Sequence, residues 1–310
     1  MKIVCLDAAT LGSDADLSEI ASLGEFESYE MTGPAQTAQR LAGADVVITN
    51  KVLITDEIMA QTALKLICVS ATGTNNIDMQ AAQARGIAVK NVAGYSTNSV
   101  VQQTFASLFA LTNALGYYAD YGSSGKWCES EIFTHIDAPI NEIYGKEFGV
   151  IGLGQIGEKV ARIAAAFGAN VRYYSTSGAN DNGEFARVSL DALLRACDII
   201  SIHAPLNEKT AGLIGEAELA KMKEGAILMN FGRGGIVDED ALARAVDERG
   251  LRTALDVLQT EPMRADHPLL RVKNRRNVII TPHIAWASIE ARKRLIKMLA
   301  QNIRDFMSDK

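Results

Sequence analysis

Ten short apolar runs alternate with longer helical stretches, and this alternation confines the chain to an α/β fold with parallel sheets. The runs cover residues 3–6, 46–49, 66–70, 88–91, 148–151, 171–174, 199–203, 227–230, 253–257 and 278–281. Most are apolar at successive positions, so both faces of each strand must be covered by helices. Helical patterns fall between them, as at 78–85, 155–167 and 238–249, the last opening on an acidic first turn. The strands form two sets. Four runs precede residue 98, and the rest begin at Phe148. Between the sets, 99–118 reads as one long helix carrying Val100, Val101, Phe105, Leu108, Phe109 and Leu111. Residues 119–146 read as an irregular arm, and 288–307 as a final helix. A chain of 310 residues exceeds one ordinary core, so two doubly wound parallel-sheet domains are expected.

Composition narrows the function. At 48% hydrophobic and 22% charged residues the chain is globular in character. A net charge of -6 and a pI of about 5.4 argue against a nucleic-acid binder, which lives on a basic face. No apolar run approaches the roughly 20 residues that cross a bilayer. The N-terminus reaches Asp7 too soon for a signal peptide, so a cytoplasmic protein without membrane partners is expected. Cys5, Cys68 and Cys197 sit in apolar segments, where a reduced thiol serves as a small hydrophobe. No cysteines pair at metal-ligand spacing, and no metal site is expected.

The sharpest local signal is Gly152-x-Gly154-x-x-Gly157, which follows a strand and opens a helix. Gly152 allows a tight turn, Gly154 lets backbone approach a pyrophosphate, and Gly157 lets helix pack on strand. Gln155 and Ile156 begin the helix, whose free N–H groups face the phosphates. A dinucleotide is therefore expected here. Its ribose is normally read by a carboxylate at the end of the next strand, but Ser175, Thr176 and Ser177 stand there. The first acid beyond them is Asp181, Arg172 sits inside the strand, and Arg187 is further on. Hydroxyls bind either ribose form, so the choice between NAD and NADP stays open.

Three further segments end later strands: Asn230-Phe231-Gly232-Arg233-Gly234-Gly235, Asp256-Val257 with Glu261-Pro262, and Thr281-Pro282-His283. In parallel sheets ligands meet the carboxyl ends of strands. Together with the glycine loop and Val237-Asp238-Glu239, these segments make the chain resemble the D-isomer-specific 2-hydroxyacid dehydrogenases over almost its whole length. The resemblance implies a Rossmann NAD(P)-binding domain at 99–285, inserted in a flavodoxin-like substrate domain of residues 1–98 and 286–310. It implies that Arg233 binds the substrate's carboxylate and keto oxygen, that His283 is the acid/base, and that Glu261 is its hydrogen-bonded carboxylate. Gly73, Thr74 and Trp286 are implied at the substrate, in a cleft that closes by a hinge. Phe231, Gly232, Asp256 and His283 are implied beside the cofactor, with His203 and Pro205 on its adenine side. His135 and His267 read as structural or surface residues.

The chemistry agrees with those roles. Hydride arriving at C2 leaves charge on its oxygen, and a protonated His283 can supply the proton. Arg233 offers a planar fork for a carboxylate. The turn at Gly73 and Thr74, with Trp286, is most similar to glyoxylate and hydroxypyruvate reductases. A D-lactate dehydrogenase is the alternative enzyme, and a dinucleotide-binding corepressor the alternative class. Glu261 speaks against formate dehydrogenases, which carry glutamine there. A homodimer through helix 99–118 and arm 119–146 is implied as well.

Overall fold

A computed structural model describes residues 1–308, and the chain divides into two compact units. One unit comprises Met1–Ser96 with the C-terminal segment from Trp286, and the other Thr97–Ala285. In the first, β1 (Lys2–Cys5), β2 (Glu25–Ser28), β3 (Val46–Thr49), β4 (Leu66–Val69) and β5 (Ala88–Lys90) form a sheet ordered β2-β1-β3-β4-β5. Every pairing is parallel, and this is a flavodoxin-like order. The C-terminal helix Ile289–Ser308 buries Leu295, Leu299 and Ile303 against Ile3, Val46 and Cys68. Asp78 caps the helix Met79–Ala84 by accepting from the Ala81 amide.

The second unit holds β6 (Glu147–Ile151), β7 (Asn170–Tyr174), β8 (Ala186–Arg187), β9 (Ile199–Ile202), β10 (Ile227–Asn230), β11 (Arg252–Leu255) and β12 (Val278–Ile280). Its order is β12-β11-β10-β9-β6-β7-β8, again parallel throughout. Strand order reverses between β6 and β9, so a crevice opens where Ile151 and Ile202 end. Fully buried Ile151, Ile202 and Leu228 carry the core beneath that crevice.

The sheet classes are as expected from the sequence, but two edges were not visible in it. The expected list of strands lacks β2 and β8. Residues 25–28 read Glu-Phe-Glu-Ser and are half-exposed, and Ala186 and Arg187 are both exposed. Edge strands are short and need no apolar run. The single helix expected at 99–118 is also corrected. It is two helices, Thr97–Thr112 and Leu115–Ser123, separated by Ala114 at φ 47°. The Thr112 carbonyl, which a continuing helix would offer to Gly116, instead accepts from the Asn141 amide at 2.9 Å. The arm's first residues, 119–123, are accordingly helical, and irregular chain begins only later. Among the described residues, no helix is long and apolar enough to cross a membrane.

Cys5, Cys68 and Cys197 are buried, and burial pushes each thiol up to about 12. Cys128 alone is exposed. Iodoacetamide at mild alkaline pH should therefore add one group to the native protein and four after denaturation, counted by intact mass. A second fast adduct on the native chain would contradict the burial of one of these three thiols.

Candidate active site

The glycine loop leaves β6 as its spacing demands. Gly152 has φ 91°, and a Cβ there would lie 2.9 Å from the Ala204 backbone. A Cβ on Gly157 would lie 2.1 Å from the Gly152 carbonyl oxygen, so the helix Gln155–Ala166 can start against the strand only with glycine there. Gly154 meets nothing within 4 Å, and its missing side chain leaves open space. It begins the helix without any side-chain cap, so the first amides stay available to an anion.

Beside the loop lies a cavity of about 710 Å³, lined by Gly152, Leu153, Gly154, Thr176, Ser177, Asn180, His203, Pro205, Asn207, Glu208 and Lys209. Ser175 does not line it. It is buried, and its hydroxyl accepts from the Asn180 amide at 3.3 Å. Asn180 in turn donates to the Leu153 carbonyl at 2.5 Å and accepts from the Tyr173 hydroxyl at 3.1 Å, which straps the 175–180 loop onto the glycine loop. His203 shares a hydrogen bond with Ser201 through Nε2 at 2.8 Å, and its ring lies 6.5 Å from that of Phe231, nearly parallel. Burial pushes the imidazole down to about 3, which keeps it neutral. Its Nδ1 is buried without any partner. An open cradle at a helix start and an orphaned polar atom at the cavity wall fit a dinucleotide.

Beyond β10 the chain folds around Asn230. Its Oδ1 accepts from the Gly232 amide at 3.0 Å, and its Nδ2 donates to the Arg233 carbonyl at 2.8 Å. The Arg233 guanidinium donates to the Gly232 carbonyl at 2.8 Å and is half-buried. Gly234 presses on the neighbouring loop: a Cβ there would sit 1.9 Å from the Leu258 carbonyl oxygen. The Leu258 amide donates to Glu261 Oε1 at 3.0 Å, and Glu261 Oε2 meets His283 Nδ1 at 2.7 Å. Contact thus runs unbroken from the arginine turn to the histidine. His283 has φ 55°, in the left-handed region. Asp256 holds it there: its carboxylate accepts from Thr281 Oγ1 at 2.5 Å and from the Ile284 and Ala285 amides at 2.9 Å each. Burial raises the Asp256 carboxyl, and those donors work against the rise.

His283 Nε2 makes no hydrogen bond among the described residues, and the ring is partly exposed. The arrangement is an imidazole oriented by a carboxylate, with one nitrogen free for a reacting atom, on loops packed against an arginine turn. The remaining expected positions lie elsewhere. Gly73 and Thr74 follow β4 in the other unit, where Thr74 closes a turn by accepting from the Ile77 amide. Trp286 belongs to that unit too and meets Tyr95 edge-on at 6.1 Å. His267 bonds to Glu239 at 2.9 Å and caps a short turn, and His135 stacks on Tyr121 at 3.7 Å, so both are structural. Sequence reasoning missed Asn180 and Asn230. Asn230 had a signal, an Asn ending a strand before glycines. Asn180 had none, since its partner Leu153 is remote in sequence.

The family described as D-isomer specific 2-hydroxyacid dehydrogenase, NAD binding domain, matches residues 105–285. The chain is 38% identical over 312 residues to a glycerate dehydrogenase of Methylorubrum extorquens, covering 100% of this chain and 97% of the relative. It is 36% identical over 315 residues to a hydroxypyruvate reductase of Blautia hydrogenotrophica, covering 99% and 97%. Among solved structures it is similar to an acyclic imino acid reductase in complex with NADPH and D-Arg, at 30% identity and TM-score 0.86, covering 100% and 98%.

Proposed function

This chain belongs to the D-isomer-specific 2-hydroxyacid dehydrogenases, and from that premise we propose that it reduces a small 2-oxo acid of the glyoxylate or hydroxypyruvate kind to the D-2-hydroxy acid. A bound NAD(P)H supplies the hydride. The single observation carrying the catalytic assignment is His283 with Nδ1 held by Glu261 and Nε2 unbonded. With Nδ1 directed at a carboxylate, the transferable proton sits on Nε2, where the substrate's C2 oxygen would lie. Arg233 binds the substrate carboxylate through its planar fork and places the carbonyl between hydride and histidine. Asp256 and Glu261 are positioning residues that act through the turn and ring of His283. Gly152, Gly154 and the first amides of the helix Gln155–Ala166 take the pyrophosphate.

Oxidation of NADH and of NADPH, followed by the absorbance of the reduced nicotinamide, tests this reading. Glyoxylate or hydroxypyruvate should turn over faster than pyruvate or 2-oxoglutarate. No turnover with any 2-oxo acid would leave the corepressor-like alternative standing.

We also propose that the arm mediates a homodimer. Phe133 is 89% exposed and Ile136 76% exposed, and Trp127, Ile132, Ile140 and Tyr144 are exposed on the same stretch. So many large apolar side chains on one segment mark a protein contact. Light scattering should give twice the chain mass of 33.4 kDa, and Phe133→Asp with Ile136→Asp should shift it toward one. A monomeric parent would end this proposal.

A further inference from the structure

We infer that Lys209 selects the 2′-phosphorylated cofactor, so that this chain prefers NADPH. The inference rests on the reading that the cavity beside the glycine loop takes a dinucleotide. A free ribose 2′-hydroxyl calls for an acceptor, usually a carboxylate, at the end of the second strand of the fold. After β7 the chain offers Thr176 and Ser177 instead, and both line the cavity. Asp181, the next acid in the chain, does not. A 2′-phosphate calls for hydroxyl donors and a cation. From the sequence, no cation stands near these hydroxyls; the fold brings Lys209 to the cavity and Arg187 to the adjoining loop.

The first is Lys209, on the loop after β9, which lines the cavity with Thr176 and Ser177. Its backbone position is set. The Lys209 amide donates to Asn207 Oδ1 at 2.9 Å, and fully buried Thr210 donates to the Pro205 carbonyl at 2.6 Å while accepting from the Asn207 amide at 2.8 Å. The exposed side chain therefore starts from a fixed point on the cavity rim. The second is Arg187 in β8, which pairs with β7 and so shares its edge. Its guanidinium reaches within 3.7 Å of where a Cβ on Gly178 would stand, directly after Ser177. Among the described residues, neither side chain forms an ion pair or hydrogen bond. Among the described residues, the one carboxylate lining the cavity, Glu208, is the competitor: as an acceptor it would favour the free 2′-hydroxyl. At the cavity Lys209 offsets Glu208, and Arg187 beside Gly178 adds a second uncommitted cation next to the loop that carries the hydroxyls, which favours a phosphate.

Calorimetry with 2′,5′-ADP and 5′-AMP tests the inference without turnover. The parent protein should bind 2′,5′-ADP at least about tenfold tighter than 5′-AMP, the scale of one charged hydrogen bond. Lys209→Met should remove most of that preference while moving the 5′-AMP affinity by less than about twofold. The preference should also shrink as salt rises. In assays, the kcat/KM ratio of NADPH to NADH should fall by the same factor, carried by KM. Equal binding of the two nucleotides, or an intact preference in Lys209→Met, would overturn the assignment. So would a loss of 5′-AMP affinity in Glu208→Gln that leaves 2′,5′-ADP untouched, since Glu208 would then be reading a free hydroxyl. If neither nucleotide binds, the dinucleotide reading itself fails; if both bind equally and 2-oxo acids still turn over, only the Lys209 assignment falls.

Discussion

His283→Asn is expected to lower kcat/KM for the 2-oxo acid by about 10²–10⁴-fold, the usual worth of a positioned acid/base. Asparagine is the informative replacement. His283 has φ 55°, a conformation that Asn adopts readily and that Ala adopts at a cost. The Asn amide can also still donate toward Glu261. Fold and turn should therefore persist, while the group able to give up a proton is gone. The loss should fall on kcat more than on nucleotide affinity, because among the described residues no hydrogen bond ties the ring to the glycine loop at Gly152–Gly157. Glu261→Gln should cost less, since a Gln oxygen can still accept from Nδ1 and keep the ring oriented. Turnover by His283→Asn within tenfold of the parent, with the melting temperature unchanged, would remove His283 from the chemistry.

That pair of residues shows what a sequence can and cannot disclose here. His283 and Glu261 stand out because each follows an apolar run and carries side chains that strand ends rarely need for packing. The glycine loop is legible for a related reason. Three steric demands fall within six residues, each met only by a missing Cβ or an open approach. Local patterns also give the parallel strands, since a strand buried on both faces must be apolar at every position. Partners far apart in sequence escape such reading. The break after Thr112 depends on Asn141, the strap over the glycine loop on Asn180, and the grip on the His283 turn on Asp256. Each is one polar side chain or amide closing a bond over more than twenty residues, which leaves no periodicity to detect. Lys209 is the sharpest instance. Remote from Thr176 and Ser177 in sequence, it lines the same cavity from a different loop.

Gly234→Ala is expected to be the most damaging single methyl in the molecule. The new Cβ would lie 1.9 Å from the Leu258 carbonyl oxygen, 2.1 Å from its carbon and 2.7 Å from the Gln259 nitrogen. All three are backbone atoms, so no side chain can swing aside. Either the arginine turn or the 258–261 loop must shift. Asn230 grips the turn through two hydrogen bonds, and Leu258 is tied to Glu261, so the displacement passes to Arg233 or to the His283 partner. Overpacking of this kind costs about 1–3 kcal/mol, a fall of several degrees in melting temperature for a unit of this size. The catalytic effect should be larger than stability alone explains, about 10²-fold in kcat/KM, because a misplacement near 1 Å is enough to spoil the attack geometry. Gly235→Ala is the control. Its Cβ would meet nothing closer than 3.8 Å, and only the φ of 80° is unfavourable. It should lose about 1–2 kcal/mol of stability and leave kcat nearly intact. If Gly235→Ala damages turnover as much as Gly234→Ala does, flexibility of the turn and not its contact with Leu258 controls the site, and the packed path from Arg233 to His283 loses its role.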